Sequence, residues 1–469
     1  MKQGLAMAAA ASVLLAGAAN AAAAQPTPSP SPAPLTMPAA PPPSPAAASP
    51  APGGTAGAQS LTLIDAENIA LAKSPLLAIA RAQLTSAGAA KGLAQSGELP
   101  NLGVSADSTR TKAGNFSNNQ GQGGNPSGQI TSNSATVNLR QLIFDGGRVW
   151  SQVSSARYGE DAARYSLQRT VQTVFFSIGQ DYFAALQARH ALIAANESLR
   201  LARVQEELVN AQYKAGLAAK ADVLTAQFPM AQAQLKVAQT QYGEQLALAT
   251  LLNAMGLPAT QLVQLVDDTS TNGEAPATVD QLLAVASISR PDLLAAQASA
   301  KSADLAVRAA SLARFPLISA TASDGASGTA PNAGGRNGNS YSYGVGLTFP
   351  LYDGGVIHSQ TVQAQAQASI AAANLKTAEL GVSLSVQQAF LNLETARASV
   401  IAANAELANA RTVLDVTNAQ YKSGVTTLPL LLNAQVGLTT AQTDQITALY
   451  AFKIAQQSLL LAEGTIGKQ

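Results

Sequence analysis

The chain has 469 residues, carries 28 basic and 27 acidic side chains, and contains no cysteine. A net charge near zero gives no reason to expect a nucleic-acid partner. The lack of cysteine excludes disulfides, thiolate metal sites and lipid attachment at an N-terminal cysteine. Only 12% of the residues are charged, about half the usual share, so we expect much of the surface to face lipid, neighbouring chains or a neutral lumen.

Residues 1–24 have the composition of a signal peptide. Lys2 supplies a positive start, an apolar stretch follows, and small residues offer cleavage after Ala21 or Ala24. The sequence therefore predicts that the protein is exported across the inner membrane.

The next segment, residues 25–58, holds 12 of the chain's 23 prolines, mixed with alanine and serine. This composition cannot form a core and predicts a disordered Pro/Ala-rich tail. Beyond it no run of about 18 apolar residues occurs, so the sequence predicts no transmembrane helix. An exported chain of this kind stays in the periplasm, is secreted, or enters an outer membrane as β-strands.

The remainder of the chain is an internal duplication. NAQYKAG at 210–216 returns as NAQYKSG at 418–424, and QLIFDGGR at 141–148 corresponds to FPLYDGGV at 349–356, both displaced by 208 residues. The sequence therefore predicts two tandem units of about 200 residues. Their predicted bounds are 61–257 and 278–464, joined by a linker at 258–277.

Each unit contains two segments in which apolar residues alternate, and two longer segments in which they advance by threes and fours. Alternation is typical of strands and the second pattern of helices that bury one stripe. The predicted strands are about 100–110, 135–144, 316–325 and 340–352. The predicted long helices are about 148–214 and 355–422, the tips 215–220 and 423–428, and the return helices about 220–256 and 428–464.

Four such strands cannot span a membrane alone. An open edge would leave unpaired N–H and C=O groups in lipid, which costs several kcal/mol for each group. Membrane barrels have about eight strands or more, so two chains would supply eight strands and three chains twelve. The strand pattern alone does not choose between these assemblies.

The strand-DGG-helix junctions, the YKxG turns and the segment GLAAKADVLTAQ at 216–227 resemble the outer-membrane efflux protein family (TolC-like) over residues 61–464. The resemblance implies a mixed α and β membrane protein. It would be a homotrimer with a 12-stranded outer-membrane β-barrel, four strands per chain, continuous with a 12-helix periplasmic α-barrel. The linker would lie in an equatorial belt, and the location would be the cell outer membrane with a large periplasmic extension.

The implied function is a passive exit duct of a tripartite efflux or type I secretion system. A periplasmic adaptor (membrane fusion) protein and an inner-membrane transporter would be its partners, and lipid its surroundings. No catalytic, cofactor-binding or metal-binding residues are expected. Two alternatives are a soluble periplasmic coiled-coil adaptor or scaffold, which the alternating strands disfavour, and an exported enzyme, for which no set of acid, base and nucleophile is evident.

The tips hold the candidate functional residues. Gly216 and Gly424 lie where a helix must reverse, which favours a helix-ending glycine with positive φ. Asp222 has two interpretations: a first-turn carboxylate that interacts with the helix dipole, or, as the resemblance implies, part of a polar gate with Tyr421.

The match to the family's gate is incomplete in this sequence. Thr426 stands where the resemblance predicts an arginine, and Leu430 and Asn433 stand where it predicts aspartates that line the constriction. The gate is therefore expected to be more apolar here. Thr427 is expected to cap the second return helix, and Pro229 to kink the first.

The DGG junctions suggest a strand-to-helix turn rather than a metal loop, because no further acidic residues recur at ligand spacing. Phe144, Trp150 and Tyr352 fall at these junctions and are either anchors at the lipid interface or ordinary packing residues. His190 and His358 are the only histidines, and we expect both on helix surfaces.

Overall fold

The computed structural model describes residues 59–112, 129–267, 278–330 and 338–467. All of them belong to one compact unit, Ala58–Gln469. The predicted signal peptide, the predicted Pro/Ala-rich tail and the second half of the predicted linker (268–277) lie outside the described residues.

The described residues form eight α-helices and six β-strands. The helices are α1 (Leu63–Lys73), α2 (Pro75–Ser96), α3 (Arg148–Lys214), α4 (Lys220–Ala254), α5 (Val279–Ser289), α6 (Pro291–Ser311), α7 (Val356–Lys422) and α8 (Leu428–Glu463). The strands are β1 (Gln59–Leu61), β2 (Asn101–Lys112), β3 (Gln129–Phe144), β4 (Val263–Leu265), β5 (Leu317–Ala330) and β6 (Gly338–Thr348).

Four strands form one antiparallel sheet in the order β2-β3-β5-β6. The register pairs Leu102 with Leu139, Leu139 with Ala322 and Ala322 with Tyr343. Because side chains alternate between faces along a strand, these residues share one face of the sheet. That face carries large exposed apolar side chains, with Leu102 68% and Tyr343 83% exposed.

The opposite face of the sheet is small and polar. Asn138 pairs with Ser323, and Ser323 pairs with Ser342, whose hydroxyl lies 2.8 Å from that of Ser323. Three strand bounds differ from the prediction by four residues or more. β5 ends at Ala330 rather than about 325, because it continues to pair with β3. β3 begins at Gln129 rather than about 135, because its Ser- and Asn-rich start lacks apolar alternation yet pairs with β2. β6 ends at Thr348, ahead of Pro350, which has no N–H to donate.

Two strands were missed by the sequence prediction, which counted four. β1 and β4 form a two-stranded parallel sheet between the segment before α1 and the linker. Each has three residues, which is too short for an alternation pattern to appear. The hydroxyl of Tyr182 lies within hydrogen-bonding distance of the backbone oxygens of Leu61 and Val266, so α3 holds this small sheet in place.

The two long helices, α3 and α7, have 67 residues each, which corresponds to about 100 Å at 1.5 Å per residue. Near the sheet the helices are neighbours in the order α2–α3–α6–α7, and towards the tips in the order α4–α3–α8–α7. Each repeat thus contributes two helices near the sheet and two towards the tips. The short helices α2 and α6 flank the long helices near the sheet, and α4 and α8 flank them towards the tips.

The main core lies where the helices near the sheet meet the helices of the tip half. Ile178 and Leu186 of α3 are fully buried together with Leu251 and Met255 from the end of α4, and Tyr450 of α8 closes the cluster. A second cluster centres on Val386 of α7. Within the described chain, no helix combines the length and apolarity that a membrane span requires.

Candidate functional site: the helical tips and the junctions

Both tips reverse through the same turn. Gly216 has φ +76° and Gly424 has φ +74°, a region that favours glycine because it has no Cβ. The N–H of the following residue donates to a carbonyl five residues earlier: Leu217 to Gln212 at 2.8 Å, and Val425 to Gln420 at 2.9 Å. This pattern ends a helix with its last carbonyls satisfied, so the duplicated YKxG motif encodes the turn directly.

The return helices begin differently. Asp222 lies in the first turn of α4, and its Oδ2 accepts the N–H of Ala219 at 3.0 Å. The expected cap by Thr427 on α8 is not observed: Thr427 is the N-cap residue, but its side chain makes no capping hydrogen bond. Pro429 has no N–H, and the N–H of Leu430 donates to the backbone oxygen of Thr427 instead, at 3.2 Å.

Tyr421 lies half-buried against a small apolar cluster that joins the two hairpins. This tip cluster comprises Val209 of α3, Val223 and Ala226 of α4, and Leu428 and Leu432 of α8. The Tyr421 hydroxyl donates to Oε1 of Gln212 at 3.3 Å, which links α7 to α3. Burial, and then the nearby charge of Asp222, raise the pKa of Tyr421, so the phenol is a neutral donor at ordinary pH.

The other predicted tip residues are placed as follows. Asp222 is near enough to influence Tyr421 electrostatically, while its carboxylate binds Ala219 of its own hairpin. Leu430 and Asn433 are exposed on α8 and lie outside the tip cluster. Pro229 lies inside α4, which continues through it from Lys220 to Ala254.

At the opposite end, an aspartate starts each long helix. Asp145 accepts the N–H of Gly147 at 2.9 Å and of Val149 at 2.6 Å. Asp353 does the same for Gly355 at 3.0 Å and Ile357 at 2.7 Å, and these hydrogen bonds lower its pKa. The carboxylates are thus occupied by the first free N–H groups of the helices. Among the described residues no group of three His, Cys, Asp or Glu could hold a metal ion.

The three junction aromatics are all exposed. Phe144 is 47%, Trp150 55% and Tyr352 90% exposed. The guanidinium of Arg308 lies 5.5 Å from the centre of the Trp150 ring. Exposed aromatic rings at the end of an apolar sheet face are compatible with either interpretation of these residues.

His190 is less exposed than the sequence prediction implied. Its Nε2 lies 2.7 Å from Oδ2 of Asp267, which also accepts the Tyr450 hydroxyl at 3.0 Å. The cluster ties the linker to α3 and α8, and burial, followed by the Asp267 charge, raises the pKa of Tyr450. Sequence reasoning missed it because Asp267 follows His190 by 77 residues. His358 is exposed on α7, as expected.

The described fold is that of an outer-membrane channel. Its backbone matches the crystal structure of the CmeC outer membrane channel of Campylobacter jejuni with a TM-score of 0.74 and 18% identity, covering 86% of this chain and 85% of that one. The sequence is similar to that of outer membrane efflux protein BepC of Brucella suis, with 27% identity over 71% of this chain and 72% of BepC. It is 28% identical to outer membrane protein TolC of Escherichia coli over 80% of this chain and 76% of TolC.

The profile of one protein family, described as outer membrane efflux protein, matches residues 67–257 and 282–465. The chain belongs to the outer membrane efflux protein family. The predicted mixed α and β channel fold and the predicted outer-membrane location are confirmed, and the chain is an efflux channel of that membrane. The alternative of a soluble adaptor or scaffold is not supported. The family consists of channel proteins rather than enzymes.

Proposed function

We propose that three copies of this chain form a passive exit duct, closed at the helical tips, for a tripartite efflux or type I secretion system. The observation that carries the proposal is that, in the described chain, both the four-stranded sheet and the row of long helices end in edges without a partner. In the sheet, β2 and β6 are the outer strands. Their outward N–H and C=O groups require partners in lipid, and β6 of one copy can pair with β2 of the next.

The helical wall has matching open edges. α4 and α7 are the outer helices of the tip half. α4 exposes Leu224, Phe228, Leu235, Tyr242 and Leu246, and α7 exposes Leu384, Leu391, Ile401, Val413 and Val416. The spacing by fours and sevens on α4 is typical of a coiled-coil seam. Three copies close the sheet into 12 strands and the helical wall into 12 helices. Each copy supplies four strands, four helices near the sheet and four helices towards the tips.

The trimer can be tested at these helical edges. The variants Phe228→Glu and Val413→Glu each place a charge in the proposed seam, eight or nine residues from the tip, so we expect loss of the trimer with retention of helix content. Val204 is 54% exposed on α3, which has neighbours on both flanks, and Val204→Glu is the matched control that should remain trimeric. Light scattering of the detergent-solubilised protein measures the mass. Trimers of unchanged stability in both edge variants would contradict the proposed wall.

The proposed gate is the contact between hairpins at the tip cluster. Opening by movement of the α7–α8 hairpin away from α3 and α4 would break the Tyr421–Gln212 hydrogen bond and separate Tyr421 from Asp222. Gly216 and Gly424 provide the tight turns, and Leu430 and Asn433 line the constriction. Such a gate shifts a population between closed and open states and needs no catalytic chemistry.

Two substitutions test the gate. Tyr421→Phe removes the hydroxyl, and Asp222→Asn removes the charge while keeping an acceptor for Ala219. Because a hydrogen bond contributes about 0.5–1.5 kcal/mol and three copies act together, Tyr421→Phe should raise the open population at least about tenfold. Asp222→Asn should also raise it, because the charge beside Tyr421 is lost. Single-channel conductance in bilayers and the drug susceptibility of the host measure it. Thr225→Ala, on the exposed side of α4, is the control; if both readouts match wild type in both tip variants, the gate lies elsewhere.

The remaining partners follow from a passive duct, which supplies no energy. An inner-membrane transporter would do the work, and a periplasmic adaptor would join it to the tips, as the family resemblance supports. Lipid surrounds the sheet, with Phe144, Trp150 and Tyr352 as anchors at the interface. We further propose that residues 1–24 direct export and are removed. Copurification of an adaptor with wild-type protein, lost on substitution at the tips, tests this assembly.

A further inference from the structure

The inward face of the proposed barrel carries an isolated cation. Since the face with Leu102 and Tyr343 must meet lipid, the opposite face lines the lumen. Most of its described members are small and neutral: Asn101, Gly103, Ser105, Thr109, Ser132, Ser134, Thr136, Asn138, Ser319, Thr321, Ser323, Gly325, Ser327, Gly338, Ser340, Ser342, Gly344, Gly346 and Thr348. Arg140 of β3 belongs to the same face, because it pairs with Asn101 and Thr321.

Arg140 projects beyond its neighbours. The residues that follow it across the sheet are Thr321 and Gly344, neither of which is long enough to cover a guanidinium group. Arg140 is exposed in the chain. On β3, Arg140 directly follows Leu139, which pairs with Leu102 on the apolar face that meets lipid. Arg140 therefore lies within the thickness of the membrane.

In the described part of the chain, no carboxylate lies within ion-pairing distance of Arg140. None of the ion pairs there includes it. The single acidic residue among the described inward positions of the sheet is Asp107, six residues further along β2 than Asn101. That separation is about 20 Å along the strand. The two charges therefore act at different levels of the lumen.

We propose that Arg140 forms a ring of three guanidinium groups in the barrel lumen that binds the carboxylate or phosphate groups of exported solutes. This inference rests on the proposed trimeric duct. Guanidinium groups bind carboxylates and phosphates in a two-pronged geometry. A pore with low-dielectric walls concentrates the field of such a ring and raises the local concentration of anions. The ring therefore selects for anionic solutes after they have passed the tip.

A single cysteine can report the potential at this ring, because the natural chain has no cysteine. Thr321→Cys places a thiol directly opposite Arg140 on the lumen face. The measurement is the rate of its modification in vesicle-reconstituted trimers by two methanethiosulfonates of similar size, one bearing a sulfonate and one a trimethylammonium group. In the Arg140→Gln background the anion-to-cation rate ratio should fall about fivefold at low salt. At 1 M salt, where the Debye length is about 3 Å, the rate ratios measured with Arg140 and with Arg140→Gln should be nearly equal.

Two controls separate this inference from the duct itself. Arg110 belongs to the opposite face, since it shares the even-numbered positions of β2 with Leu102, and Arg110→Gln should leave the ratio unchanged. Ala322→Cys, on the lipid face, should resist both reagents. If Thr321→Cys and Ala322→Cys react alike, the proposed duct fails. If Thr321→Cys reacts and Ala322→Cys does not, the proposed duct is supported. If, in addition, Arg140→Gln leaves the anion-to-cation rate ratio at Thr321→Cys unchanged, the proposed anion ring is wrong.

Discussion

The two repeats are alike at the ends of their long helices and different in their surroundings. α3 and α7 each begin with an aspartate and two glycines and end with the same glycine turn. However, α3 lies between neighbours on both flanks, whereas α7 is the outer helix of the chain. Accordingly the α3 core contains Ile178 and Tyr182, while Leu384 and Ile401 of α7 remain exposed.

This difference separates two kinds of constraint on one duplicated sequence. Starting a long helix from a strand and reversing it at a tip are local tasks, so both repeats keep the same residues for them. Burial depends on position in the wall, so the side chains of the two long helices have diverged. Gly146 and Gly354 illustrate both constraints, because their backbone is alike and their neighbours are not.

The largest expected effect concerns these two glycines. Gly146 has φ +72°, and a Cβ there would lie 2.7 Å from Cβ of Phe315; Gly354 has φ +65° and no atom within 4 Å of such a Cβ. Left-handed backbone costs a non-glycine residue roughly 1–2 kcal/mol, and overpacking adds about 1–3 kcal/mol. Gly146→Ala should therefore lower the free energy of unfolding by about 2–5 kcal/mol and Gly354→Ala by about 1–2 kcal/mol.

Thermal melting of the helical signal, at fixed detergent, measures both glycine variants. The double variant Gly146→Ala with Phe315→Ala removes the ring contacts at 2.9 Å and 3.3 Å but keeps the Cβ contact at 2.7 Å, so it should recover only part of the steric loss and none of the backbone loss. Equal destabilisation by the two single variants would show that Phe315 does not distinguish the junctions.

A smaller effect is expected at the starts of the return helices. Asp222→Ala removes the acceptor of the Ala219 N–H, and loss of such a capping contact costs about 1 kcal/mol. Thr427→Ala removes a side chain that makes no capping hydrogen bond, so its effect should stay within about 0.5 kcal/mol. Hydrogen exchange at the first turns of α4 and α8 measures each helix start separately. Faster exchange at α8 in Thr427→Ala would contradict the assignment.

The sequence predicts best what is local or duplicated. The DGG and YKxG motifs indicate helix ends because the glycine conformation and the nearby hydrogen bonds are decided within a few residues. The contact of His190 with Asp267 was not predictable, since it joins a helix to a linker far along the chain. Thr427 was predicted as a cap from residue type alone, but Pro429 removes one of the two N–H groups that a threonine cap could use, and the other, from Leu430, donates to the Thr427 backbone oxygen. The gate assignment of Asp222 and Tyr421 stays a prediction.

The smallest expected effect is a dependence on pH at the start of α7. The backbone N–H groups of Ile357 and Gly355 hold the pKa of Asp353 below its ordinary value, which is about 3.9. Because the folded pKa is the lower one, the stabilisation is present above about pH 3.9 and is lost as the pH falls through the folded value. Asp353→Asn should therefore melt at a lower temperature than wild type at pH 7. The two proteins should converge once the pH falls below the folded pKa, and a gap that persists throughout the acid titration would mean that the carboxylate charge does not stabilise this helix start.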